Sequence, residues 1–450
     1  MTAAVQAVLP GWQSRTTFVL ALAAASVGLG TLWRFAWLLG NYGSAAFMLS
    51  YVLSLFLVAV PVCCAEAVLG GLGRAAPIRA IRVAAEDAGA SRHWMWLGLL
   101  MALTGVLLAA CQSVVAAWSL AYLNLFRGEV FAAASVPEVA DRFSDLIEDT
   151  AMQIRWLTVF AALLGGVLAA GVRRGLGALA WLLVPLMVTL LAVLVGFAFD
   201  NGDLAAAHNF LFNTRLADFN LEAVLAALGH ALLSLGTGVG AVLVFGAYAP
   251  AQIPLGRSVM AVALFDTLLA LLAGIAIMPV ILASNLLPAG GPGLLFIGAP
   301  YAYGNLGQGE FIGVLFFALM AMACLGAAAA LLEPLVTLLQ QYLRLGRVAA
   351  AATAALLVWG LGWVIAASMS EYGWNGWQNL LGRIDYLAAG IMLPLIALLI
   401  AVLVGWGLRP EQLRRCLGRE SRAQFSLWRW VLRYITPPAL VLMLVAGLVQ

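Results

Sequence analysis

The chain has 450 residues, 64% of them hydrophobic and 10% charged, with a formal net charge of +3, and its mean hydropathy is +1.03. Those values exclude an ordinary soluble domain and a nucleic-acid binder, and they describe a polytopic membrane protein. All 23 basic residues are arginine, so no buried lysine is available as a coupling group.

Before Arg15 there is no positive n-region and no small-residue cleavage site, so the first apolar run is expected to remain in the mature protein. With roughly 20 apolar residues per helical span, about eleven spans are predicted. They cover 15–39, 42–69, 94–126, 154–171, 176–199, 221–248, 257–284, 309–343, 348–368, 384–407 and 428–448. The expected fold is therefore an all-α polytopic membrane protein. Cys63, Cys64, Cys111, Cys324 and Cys416 fit neither a disulfide framework nor a zinc site and read as packing residues.

The first span is irregular. In SVGLGTLWRF, residues 26–35, Gly28 and Gly30 each weaken a helix by about 1 kcal/mol relative to alanine, and they are followed by Arg34. An arginine at that depth needs a cavity or a partner. A broken helix is expected, because unwound backbone at membrane depth is tolerated only where protein buries it or it lines a water-filled site.

Arginine placement sets the orientation. Arg74, Arg79, Arg82, Arg92, Arg173, Arg174, Arg257, Arg344, Arg347, Arg409, Arg414, Arg415, Arg419 and Arg422 fall in one set of loops. Glu129, Glu138, Asp141, Asp145, Glu148, Asp149, Asp200 and Asp203 fall in the other. The N-terminus is assigned to the cytoplasm and the C-terminus to the outside of a plasma (cell inner) membrane. The outside loop 285–308, with Pro288, Gly290, Gly291, Pro292, Gly293 and Pro300, reads as either a cap over an outward cavity or a plain surface connection. The basic, amphipathic stretch 409–426 is expected to lie on the anionic inner leaflet.

The sixth span repeats the irregularity, with Gly236, Gly238 and Gly240 alternating through SLGTGVG. Two broken spans five apart imply an inverted five-helix repeat, because an odd offset reverses orientation in the membrane. The boundaries predicted are 15–199 for the first repeat, 221–407 for the second, and 409–450 for a basic loop and last helix.

SVGLGTLWRF, the continuation NYGSAAFMLSYVLSLFLVAVPVCCAEAVLG, SLGTGVGAVLVFGAY and the LLEP of Leu331–Pro334 together resemble the neurotransmitter:sodium symporter family. The likeness runs from Trp12 to the RYITPP of residues 433–438. It implies a secondary active transporter of amino-acid-like solutes, not an enzyme, with sodium as the coupling ion, no organic cofactor, and a small amino-acid-like or amine substrate. The resemblance places the substrate carboxylate on Gly28, Leu29 and Gly30, where unwound amides bind an anion without a formal charge. It fills the remaining pocket with Leu108, Gln112, Leu233, Ser234, Gly236, Val239, Ala327 and Leu331. Gln112 stands where the family has a tyrosine. Arg34 and Asp385 match the outer gate, and Tyr51 and Glu66 match family positions in the second span.

By the same resemblance the first sodium site comprises Ser26, Thr31, Ser234 and Asp266, an oxygen set suited to a hard cation. The second keeps only backbone oxygens near Ala24, Val27 and Ala323, because its two hydroxyl residues align with Gly326 and Ala327. An inner-gate ion pair aligns with Leu9 and Gln341, which carry no charge. His230 and Asp266 leave open a proton-coupled or ion-independent transporter, and the missing hydroxyls leave open a non-transporting receptor. Uptake into proteoliposomes separates these.

Overall fold

The computed structural model describes residues 11–28, 30–128, 130–250, 253–286, 288, 290–370 and 379–449. Leu9, Leu29 and Glu129 lie outside the described residues. Among the described residues the regular structure is helical throughout. Among those residues nine helices are long and apolar enough to cross a membrane: Ala45–Gly73, Arg92–Phe126, Thr150–Ala169, Val172–Asn201, Leu255–Ala283, Gly309–Tyr342, Arg347–Ser368, Leu380–Gly407 and Arg422–Leu448.

The two remaining predicted spans are the broken ones. Arg15–Ser26 and Gly30–Asn41 form a bent pair whose axes differ by 64°. Leu221–Ser234 and Ala241–Ala247 flank a non-helical hexapeptide in the sixth span. There Gly236, Gly238 and Gly240 take φ of +59°, +86° and +79°. L-residues pay roughly 1–2 kcal/mol in that region, so glycine is what lets the helix stop and restart.

The carboxylate of Glu66, fully buried in the second span, accepts from the N–H of Gly238 at 2.8 Å and of Leu243 at 3.3 Å. A broken helix leaves amide donors without intrahelical partners; a buried carboxylate satisfies two of them here. Close packing fixes that arrangement. A Cβ on Gly246 would sit 2.3 Å from the Ala67 carbonyl oxygen, so the second span and the second half of the sixth meet backbone to backbone.

The last span starts at Arg422, not at 428. Ser421 and Gln424 form a reciprocal cap that begins the helix early, and the amphipathic segment Arg422–Tyr434 turns at Ile435 into the apolar Thr436–Val449. Leu182, Leu264, Leu356 and Trp181 are more than half exposed on the outer faces of the bundle, as lipid-facing side chains of a spanning protein would be. The two broken spans lie at the centre, against spans two, five, seven and eight.

Candidate functional site

A cavity of about 480 Å³ opens beside both helix breaks. Ser26, Gly28, Gly30, Thr31 and Arg34 line it from the first span. Leu108 and Gln112 come from the third, Leu233, Ser234, Gly236 and Val239 from the sixth, Ala327 and Leu331 from the eighth, and Asp385 from the tenth. The structure thus gathers on one surface every described residue proposed for the substrate pocket and the outer gate. Its walls are mostly aliphatic, and polar groups concentrate where the first and sixth helices break.

Gln112 points at that break. A Cβ on Gly28 would lie 3.2 Å from Gln112 Nε2 and 3.5 Å from Ala327 Cβ, so glycine is what leaves the backbone reachable. Arg34 and Asp385 face the same cavity without approaching within ion-pair distance of each other, which leaves the mouth unbridged. Gly291, Pro292, Leu295 and Phe296 of the loop 285–308 also line it. That loop is a cavity wall and not a plain surface connection.

Below the pocket, Asp266 is 1% exposed. Its Oδ1 accepts from Thr31 Oγ1 at 3.0 Å, its Oδ2 accepts from Ser234 Oγ, and Thr31 Oγ1 also reaches the Ser26 carbonyl at 3.2 Å. Hydrogen bonds therefore link all four groups of the first proposed ion site in one chain. A carboxylate, two hydroxyls and a carbonyl form an all-oxygen set of the kind a small hard cation takes.

The second proposed ion site differs. A Cβ on Gly326 would lie 2.6 Å from the Ala24 carbonyl oxygen and 3.2 Å from Leu183 Cδ1. The eighth span presses directly on the first at this level, where the remnant Ala24, Val27 and Ala323 are all buried.

His230 is 2% exposed and sits between the rings of Phe35 at 5.5 Å and Tyr51 at 5.6 Å. Neither ring nitrogen has a hydrogen-bond partner among the described residues. Tyr51 meets Thr267 Oγ1 at 3.3 Å.

The opposite face of the protein holds a network that sequence reading missed. Trp12 donates its backbone N–H to Tyr248 at 2.8 Å and its indole N–H to the Phe245 carbonyl at 3.1 Å. Tyr248 donates to Glu333 Oε1 at 2.6 Å. Arg347 grips both oxygens of the fully buried Glu333, at 2.6 and 2.7 Å, and donates from Nε to the Leu168 carbonyl. The sequence shows Glu333 only within the LLEP motif and Arg347 only among the loop arginines; an acid inside an apolar span was the available signal. Gln341 instead accepts from the Ala76 N–H at 3.0 Å.

The family model for the sodium:neurotransmitter symporter family matches residues 10–131 and 142–450. The chain belongs to that family. An uncharacterized sodium-dependent transporter of Bacillus subtilis, YhdH, is 26% identical over 439 residues, spanning 96% of each chain. An uncharacterized sodium-dependent transporter of Haemophilus influenzae is 26% identical over 453 residues, covering 97% of this chain and 98% of the relative. Among solved structures, MhsT in complex with L-phenylalanine superposes with a TM-score of 0.88 at 28% identity, covering 97% of this chain and 99% of that one. This sodium:neurotransmitter symporter family member is a multi-pass membrane protein with the MhsT-type fold and a secondary transporter.

Proposed function

We propose that the protein is a sodium-coupled symporter of apolar or aromatic α-amino acids, working by alternating access around the cavity at the two helix breaks. One observation carries this reading: a mostly aliphatic cavity meets an unwound backbone and a free carboxamide at one end, directly above an all-oxygen cluster. The amides near Gly28 and Gly30, with the N–H₂ of Gln112, receive the carboxylate. Leu108, Val239, Ala327 and Leu331 receive the side chain, whose burial is worth about 1.5–3 kcal/mol. That MhsT has been crystallised with L-phenylalanine agrees with a pocket of this character.

Sodium enters as co-substrate at Ser26, Thr31, Ser234 and Asp266. The close approach at Gly326 favours one sodium per cycle, with the second site closed by backbone packing. Arg34 and Asp385 then pair over a bound substrate, and the Trp12–Tyr248–Glu333–Arg347 network releases to open the other face. The arginine distribution supports a cytoplasmic side for that network and an outside C-terminus, and we take the membrane to be the plasma membrane. Residues 15–199 and 221–407 are read as the two inverted repeats.

Sodium titration of amino-acid uptake in proteoliposomes tests the stoichiometry. A Hill coefficient of about one is expected, and cooperative dependence on sodium would contradict it. A second reading, coupling to protons, draws on one observation, the partnerless burial of His230. Uptake driven by a pH gradient without sodium would favour it.

A further inference from the structure

On the face that carries Trp12 and Arg347, a second cavity of about 300 Å³ lies away from the transport site. Its walls come from the end of the second span, the helix Pro77–Ala88, the end of the sixth span, the start of the seventh and the linker helix Pro410–Cys416. Arg74 from the second span and Arg415 from the linker face into it, and Asp87 is the one carboxylate on its walls. Neither guanidinium makes a hydrogen bond or an ion pair among the described residues, whereas Arg82 and Arg347 are both paired. Cys416 lies on the same wall, where burial pushes its thiol above the ordinary range and Arg74 and Arg415 pull it down.

Leu255 opens a helix of 29 residues on the cavity wall. The linker carboxylate of Glu420 already serves that helix start, accepting from the Arg257 N–H in its first turn at 3.3 Å, so the two arginines are the cationic groups the cavity itself offers. The linker is hooked to the seventh span a second time by Arg257 Nη2, which donates to the Arg419 carbonyl at 2.9 Å. Arg15, at the start of the first span, donates to Ser258 Oγ at 3.1 Å. The cavity thus sits at the junction of the linker with the elements that must part when this face opens.

We propose that this cavity binds a phosphate oxyanion, carried by an anionic phospholipid headgroup or free in solution, through Arg74 and Arg415. A bound oxyanion bridges the linker to the end of the second span and holds this face closed. The guanidinium fork matches phosphate geometry, and arginine from two separate elements makes the contact conformation-dependent.

The full chain in nanodiscs of phosphatidylcholine is followed by thermal unfolding, with inorganic phosphate added in one arm and phosphatidylglycerol incorporated in the other. Stabilisation in both arms, or in either alone, is the expected result; phosphatidylglycerol alone identifies a lipid source and phosphate alone a soluble one. Arg74→Gln and Arg415→Gln should each weaken binding by about fivefold. Asp87→Asn should strengthen it, an opposite sign that damage to the fold would not produce. No stabilisation in either arm, or an undiminished shift in the doubly substituted protein, overturns the proposal. The readout is binding, so it stands or falls independently of sodium coupling.

Discussion

At Asp266 two hydroxyls, from Thr31 and Ser234, converge on one buried carboxylate, so the charge is held by hydrogen bonds that a cation can replace. Hydrogen bonds to charged groups are worth about 1.5–3 kcal/mol each. Asp266→Leu should therefore abolish sodium-dependent stabilisation by substrate while leaving the cavity walls intact, which a thermal-shift series with and without sodium measures. Unchanged sodium dependence would remove Asp266 from the ion site. Gly326 behaves oppositely: a side chain there meets the Ala24 carbonyl at 2.6 Å, and Gly326→Thr is expected to lower stability by about 1–3 kcal/mol through overpacking. Ala327 borders open cavity, so Ala327→Ser is expected to be nearly neutral. Gly28, Gly30, Arg34 and the sixth-span glycines stood out in the sequence because their types are unusual for a span, while the family resemblance supplied the remaining cavity residues. The closeness of Gly326 to Ala24 was not, since a glycine in an apolar run carries no sign of what packs against it.

The helix breaks are the elements on which the site depends. Alternating glycines announced the sixth-span break, but not what sustains it, because Glu66 lies more than 170 residues away along the chain. Removing its carboxylate by Glu66→Ala strands the buried N–H groups of Gly238 and Leu243, at about 1–3 kcal/mol for each donor left without a partner. A clear drop in Tm is expected, with loss of substrate binding. Gly238→Ala imposes a Cβ at φ +86° and brings it 3.2 Å from the Leu393 carbonyl; it should reduce stability by roughly 1–2 kcal/mol or more. If both variants unfold and bind as the parent does, the break does not need these groups. The early start of the last span was missed for a different reason. Arg414, Arg415, Arg419 and Arg422 marked 409–426 as a basic loop segment, whereas the helix beginning at Arg422 has an apolar face that packs on the bundle.

Across the whole molecule, the two faces are treated unequally. At the cavity mouth Arg34 and Asp385 make no ion pair among the described residues, while the opposite face is sealed by Trp12, Tyr248, Glu333 and Arg347. Breaking a buried pair from one side leaves an uncompensated charge and costs about 3–5 kcal/mol. Arg347→Gln should accordingly destabilise the protein strongly, and adding Glu333→Gln should recover part of the loss, because no lone charge then remains buried. Thermal unfolding of the two single variants and the double one separates a coupled pair from two independent sites. Family membership followed from the motifs, and the all-helical fold from the apolar runs. The seal on the closed face rests on residues distant in sequence, which only the folded chain brings together.

Coupled transport at the breaks of the first and sixth spans, as proposed, is measured by uptake into proteoliposomes. With an inward sodium gradient, labelled L-phenylalanine should accumulate saturably above its external concentration, and collapse of the gradient should release it. Saturable binding without accumulation, or accumulation indifferent to sodium, would contradict the account.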